Sequence, residues 1–169
     1  ITGTHLSGRT NADVTVVNIV IQNNLTFVPQ GLEQFFPNVI GIQIGNSKIQ
    51  VLNGDELNNF ADLQVFSIVL SSLERIPGNL FQFNPQTRAM WFSSNQLKHV
   101  GEQLFQPLNI TRLEMVYFNR NICINRDATN SSAIVQLIED LKTLCPDIET
   151  STTSALPTTT SLMTTTTEE

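Results

Sequence analysis

The feature that most constrains this chain is a repeat with a period of 24. The apolar set Val39, Ile42, Ile44, Ile49 and Leu52, with Ser47 among them, lands 24 positions later on Leu63, Phe66, Ile68, Leu73 and Ile76, with Ser71 among them. A second step of 24 reaches Thr87, Met90, Phe92, Asn95, Leu97 and Val100. A further match, one residue short, starts at Ile110 and runs through Leu113 and Met115 before it becomes irregular at Phe118 and Asn119. Stepping back from Val39 gives Thr15, Asn18, Val20, Asn23, Leu25 and Val28, of which the second half fits. The strand half would turn Asn18 inward, and a slip by one residue puts Val17, Ile19 and Ile21 there instead. A fixed period of this length points to a solenoid, because one coil cannot bury its own apolar face whereas stacked coils bury it continuously.

Within a unit, apolar positions spaced by three and then two make a short strand with one buried face, and a polar residue then turns the chain. The returns carry Leu32, Phe35 and Phe36; Leu57 and Phe60; Leu80, Phe81 and Phe83; and Leu104, Phe105 and Leu108, all expected in the core. The unit LxxLxLxxNxLxxL resembles that of the extracellular leucine-rich repeat family. Asn23 and Asn95 keep that family's turn asparagine, and Ser47 and Ser71 replace it. The resemblance covers about residues 14–148 and implies an α/β solenoid of about five coils, with a parallel sheet on its concave face.

Beyond the coils, Ile134, Leu137, Ile138, Leu141 and Leu144 recur at helical spacing, with Asn130, Ser131 or Ser132 as N-cap and Pro146 past the end. By themselves, Cys123 and Cys145 allow a single bridge or two inert thiols. Their placement around the helix resembles the C-terminal cysteine cap of secreted leucine-rich repeat proteins, which implies a disulfide closing the loop between them. Chain entropy assigns such a loop about 3 kcal/mol. From Thr150 to Glu169 the chain is mostly Thr and Ser, a composition that packs no core and resembles a mucin-like stalk. The expected organisation is therefore an N-terminal segment (1–13), repeats (14–120), a helical cysteine cap (121–148) and a disordered stalk (149–169).

Charge bears on partners. Nine Lys and Arg against 15 Asp and Glu give a net charge of −6, which argues against nucleic acid and against direct binding to anionic membrane. No apolar run approaches the roughly 18 residues of a membrane span. The chain starts at Ile1, either because a signal peptide has been removed or because it is a fragment. Three sequons, at Asn24, Asn109 and Asn130, agree with a secreted or cell-surface location, each with an ordinary surface Asn, or for Asn130 a helix N-cap, as the plain alternative.

Catalysis finds no support. The two cysteines with His5 and His99 lack zinc-ligand spacing, and no nucleophile stands with a base and a carboxylate. Asp55, Glu56, Asp62, Glu74 and Glu102 fall in turns and returns, as solvating groups of the convex side. A parallel β-helix hydrolase, the enzymatic alternative, would gather acids on successive coils of one sheet. No enzyme activity and no cofactor are expected.

The outward strand positions fall in columns: Gly41, Val65, Ala89 and Arg112; Gln43, Ser67, Trp91 and Glu114; Gly45, Val69, Ser93 and Val116. The single Trp thus points out of the core among Val65, Val69 and Val116, a candidate contact site on a face free of sequons. The expected ligand surface is Gln43, Val65, Ser67, Val69, Trp91, Ser93, Arg112, Glu114 and Val116. With its Phe36-Pro37-Asn38-Val39 junction, the chain is similar to insect leucine-rich immune and receptor-ectodomain proteins. That resemblance implies extracellular recognition of a protein or glycoprotein ligand, in innate immunity or as a receptor ectodomain. A structural or adhesive role held off the surface by the stalk is the alternative.

Overall fold

The computed structural model describes residues 4–20 and 23–147. The expected stalk at 149–169 lies outside the described residues. The chain winds as a leucine-rich-repeat-like solenoid. Its main sheet has six strands in the order β1 (Val16–Val20), β2 (Gly41–Gly45), β3 (Val65–Val69), β5 (Ala89–Trp91), β7 (Met115–Tyr117) and β8 (Asp127–Ala128). The first five run parallel and are joined by four complete turns, slightly fewer than the five coils expected, while β8 returns antiparallel against β7. On the flank, β4 (Arg75–Ile76) pairs with β6 (His99–Val100), and the isolated bridge Val51–Arg75 continues that ribbon. Among the described residues the one α-helical return is α1 (Leu32–Phe35), a single turn, and the last element is α2 (Ser131–Leu144).

The core follows the repeat. Val39, Ile42 and Ile44, then Leu63, Phe66 and Ile68, then Met90 and Phe92 are buried in register. Aromatic rings stack along the solenoid axis: Phe81 and Phe66 at 6.1 Å, Phe66 and Phe92 at 5.9 Å, Phe92 and Phe118 at 5.3 Å between centroids. Phe35 and Phe83, expected inside, are exposed. Consecutive apolar residues on a tight return cannot all face inward, and Leu32 on one return and Leu80 and Phe81 on the other already occupy the inner positions.

Four successive coils turn the same way. Asn46, Leu70, Ser94 and Arg120 take φ between 52° and 56°, each one residue before Ser47, Ser71, Asn95 or Asn121. These next residues knit the coils together. Ser47 N–H donates to Ser71 Oγ (3.0 Å), Ser71 N–H to Asn95 Oδ1 (3.1 Å), and Leu97 N–H to Asn121 Oδ1 (3.3 Å). Asn95 Nδ2 donates to the carbonyls of Ile68 (2.7 Å) and Phe92 (3.0 Å), and Asn121 Nδ2 to those of Phe92 (2.9 Å) and Phe118 (2.8 Å). Asn121 is therefore a ladder residue that the repeat arithmetic missed. A buried Asn84 serves the convex side likewise, donating to the carbonyls of Leu57 (2.9 Å) and Phe60 (2.8 Å). Close stacking there also demands Gly101, where a Cβ would come within 2.0 Å of the Gly78 backbone nitrogen.

The first and last coils depart from the regular period. Val17 and Ile19 stand in register with Ile42 and Ile44, so the first coil takes the one-residue slip, and Asn18 faces outward. In the last coil Met115, Val116 and Tyr117 lie opposite Ala89, Met90 and Trp91, an offset of 26. At the C-terminal end Ile134, Leu137 and Leu141 of α2 cover the core, and Asn130 caps the helix by accepting from Ala133 N–H at 3.0 Å. Cys123 and Cys145 are bonded, with Cα atoms 5.3 Å apart.

Candidate functional site

The concave sheet is built from alternation: where Ile42, Phe66, Met90 and Val116 face the core, their strand neighbours face the hollow. The registers define the outward columns as Val16, Gly41, Val65, Ala89 and Met115, then Asn18, Gln43, Ser67, Trp91 and Tyr117, then Val20, Gly45 and Val69. None of these residues is charged. Trp91 and Tyr117, both half-buried, meet edge to face, with ring centroids 5.9 Å apart and planes at 78°. The quadrupoles of two aromatic rings favour this arrangement, so the pair presents one preformed apolar surface. Val65 and Val69 flank it half-buried, and Gly41 and Gly45 leave the β2 lane without side chains at either end of Gln43.

Four expected contact residues are corrected by the last-coil offset and by the curvature. Val116 is fully buried, because the longer coil puts it opposite the inward Met90. Arg112 lies in a 3-10 turn (Ile110–Arg112), exposed, with Nη1 donating to Gln86 Oε1 at 3.0 Å. Glu114 stands before β7, paired at 2.5 Å with Arg88, at the rim rather than in the columns. Ser67 does face the hollow but is only 6% exposed, because concave curvature crowds it between its register partners Gln43 and Trp91. Gln43 and Ser93 are half-buried. Met115 and Tyr117 were missed, although Leu113, Val116, Phe118 and Asn121 spell the LxxLxLxxN unit directly and would have set the phase.

The sequon asparagines stand away from this face, all three exposed. Asn109 Oδ1 accepts from Thr111 N–H (3.1 Å) and Oγ (2.7 Å), and Asn130 Oδ1 accepts from Ala133 N–H (3.0 Å) and Ser132 Oγ (2.8 Å). Capping thus uses the amide oxygen, and the nitrogen, where a glycan would attach, takes no part in either cap. The histidines are engaged elsewhere: His5 bonds Asn11 (2.6 Å) and His99 Nδ1 bonds the Pro146 carbonyl (2.8 Å). Among the described residues no three His, Cys, Asp or Glu side chains gather as metal ligands, and no helix is long and apolar enough to cross a membrane.

One acid departs from the solvating role expected of it. Glu56 is buried in a return, where its carboxylate accepts from Asn53 N–H at 3.1 Å. Burial raises its pKa to about 7, against the opposing hydrogen bond from Asn53 and with the nearby charge of Asp55 adding to the rise. It serves the packing of the returns and lies off the concave sheet.

No family model matches the chain. Among curated proteins, the NT-3 growth factor receptors of Mus musculus and Rattus norvegicus are 35% identical to it over 85 residues, 48% of this chain and 10% of each receptor. The chain thus spans about a tenth of the length of these relatives. Among solved structures, that of the Toll–Spatzle complex of Drosophila development and innate immunity aligns with a TM-score of 0.47 and 19% identity, covering 66% of this chain and 18% of that one. The sequence likeness is to growth factor receptors, over roughly half of this chain.

Proposed function

We propose that this chain is an extracellular recognition module, of receptor-ectodomain type, that binds a protein or glycoprotein ligand on its concave sheet. The observation that carries the reading is the Trp91–Tyr117 pair, set among Val65, Val69 and Met115 in columns that hold no charge. A rigid half-buried aromatic pair offers large contact area with little side-chain freedom left to lose, which is the character of a binding anchor. The Cys123–Cys145 bond fits an oxidising compartment. Glycans on Asn24, Asn109 and Asn130 would leave the sheet uncovered, since none of the three lies in its columns. The likeness to the NT-3 growth factor receptors, proteins named for a protein ligand, supports the same class.

The test is a screen of the biotinylated, tetramerised chain against an array of secreted proteins, repeated with Trp91→Ala, Tyr117→Ala and the convex control Gln82→Ala. A specific partner should lose about 30-fold in affinity, close to 2 kcal/mol, with either aromatic variant. A partner bound equally well by both aromatic variants but lost by the convex control would move the site to the returns.

A further inference from the structure

The return between β2 and β3 opens on Asn53-Gly54, the one Asn-Gly pair in the sequence. Asparagine is among the chemically labile side chains, because the backbone nitrogen of the next residue can attack its amide carbon. Glycine puts no side chain in the way of that attack. Asn53 is exposed and Gly54 half-buried, in a turn outside any helix or strand. Among the described residues no acceptor takes the Gly54 N–H. Asn53 Nδ2 reaches Glu56 Oε1 only at 3.5 Å, the long limit of a hydrogen bond, so the amide is loosely held.

The two Asn-Ser pairs, with the next smallest polar neighbour, are guarded where this pair is not. At Asn46-Ser47 the attacking nitrogen is engaged, since Ser47 N–H donates to Ser71 Oγ at 3.0 Å. At Asn130-Ser131 the side chain is engaged, since Asn130 Oδ1 accepts from Ala133 N–H at 3.0 Å.

We propose that Asn53 is a self-modification site, which the folded chain converts without an enzyme to aspartate and isoaspartate, loosening its own return. This goes beyond the recognition reading and does not depend on it. The Gly54 nitrogen gives its proton to solvent base and attacks Asn53 Cγ. The N–Cγ bond forms, the Cγ–Nδ2 bond breaks, and Nδ2 takes up a proton and leaves as ammonia, so that a cyclic imide remains. Water then opens either carbonyl of the ring, giving aspartate or isoaspartate. Water is the one co-reactant, ammonia the one by-product, and nothing is oxidised or reduced.

Either product sets a carboxylate where the amide stood beside Glu56. Glu56 is 6% exposed, and the groups that act on it are the Asn53 backbone and side chain, Asp55 and the Val28 backbone, with no cation among them. The new charge is therefore repelled and not paired. Isoaspartate also adds a methylene to the main chain, where Gly54 stacks so closely on the next coil that a Cβ would come within 2.1 Å of the Asn79 side chain.

The test incubates the intact chain at about pH 8, where solvent base takes the amide proton more readily, and follows tryptic peptide 49–75 by fragmentation mass spectrometry. Asn53 should convert at least about tenfold faster than Asn46 and Asn130, with isoaspartate among the products. The converted chain, and Asn53→Asp as a stand-in for the aspartate product, should melt about 3–5 °C below the fresh chain at about pH 8. The gap should narrow at about pH 5, where Glu56 is neutral. Asn53→Gln, whose longer side chain closes its ring more slowly, should keep its midpoint through the same incubation. An Asn53 that stays intact in the folded chain while it converts in urea overturns the proposal, because the fold then protects it. So does an Asn46 or Asn130 that converts first, or a converted chain that melts as the fresh one does. An Asn53→Gln chain that loses its midpoint as fast as the wild type would put the lesion elsewhere and equally overturn it.

Discussion

Asn95 offers the sharpest test of how the coils hold one another. The residue is 7% exposed, and its side chain joins two coils: Nδ2 donates to the Ile68 and Phe92 carbonyls while Oδ1 accepts from Ser71 N–H. In Asn95→Ala the Phe92 carbonyl still has Asn121 Nδ2 at 2.9 Å, so it is not orphaned. The Ile68 carbonyl and Ser71 N–H lose their side-chain partner. At about 1–2 kcal/mol for each buried group so deprived, with a small cavity added, the cost is about 3–4 kcal/mol. Asn95→Ser repeats the Ser71 arrangement of the coil before, accepting from one N–H, and should cost about 1–2 kcal/mol. Asn95→Asp keeps the acceptor but turns a carboxylate against two carbonyls, so at pH 7 it should cost more than Ala and recover as the pH falls towards 5. Urea denaturation followed by circular dichroism at both pH values orders the three. An Ala variant within about 1 kcal/mol of wild type, or an Asp variant as stable as Asn at pH 7, would refute the ladder as the source of cohesion between coils.

Phe92→Ala should cost about 3–5 kcal/mol because the ring is fully buried between Phe66 and Phe118, whereas Trp91→Ala should cost only about 1–2 kcal/mol, mostly through the lost contact with Tyr117. Equal losses in thermal denaturation would mean the strand register is wrong. Leu70 is 57% exposed yet held at φ 52°, so Leu70→Asn should raise stability by about 0.5–1 kcal/mol, and a lower melting midpoint would count against that strain. Glu56, with its pKa raised to about 7, favours the fold when neutral: its contribution is complete below about pH 4.5 and is lost as the pH rises through about 7. After solvent screening this is worth about 1–2 kcal/mol, so melting should fall between pH 5.5 and 8 in the wild type and much less in Glu56→Gln. Equal pH slopes for the two proteins would remove Glu56 as the cause.

Much of the architecture is local and was readable. The spacing of Ile42, Ile44 and Ile49 repeats in Phe66, Ile68 and Leu73, so stacked coils were the one way to bury both sets. Helical spacing in Ile134, Leu137 and Leu141 marked the capping helix for the same reason. Phase across a coil of unequal length is not local. Counting one shortened period forward turned Val116 outward, and it was pairing of β7 with β5 at an offset of 26 that turned it inward and brought Tyr117 to Trp91.

Burial within the returns depended on the same kind of long-range fit. Nothing adjacent in sequence distinguishes buried Phe81 from exposed Phe83, or buried Glu56 from a solvated acid. Which side chain fills an inner position depends on what the neighbouring coil has already placed there. Periodicity therefore determined that the chain stacks, and where its apolar strand face lies. Contacts between successive coils, distant in sequence and unequal in spacing, decided which side chains meet in the hollow.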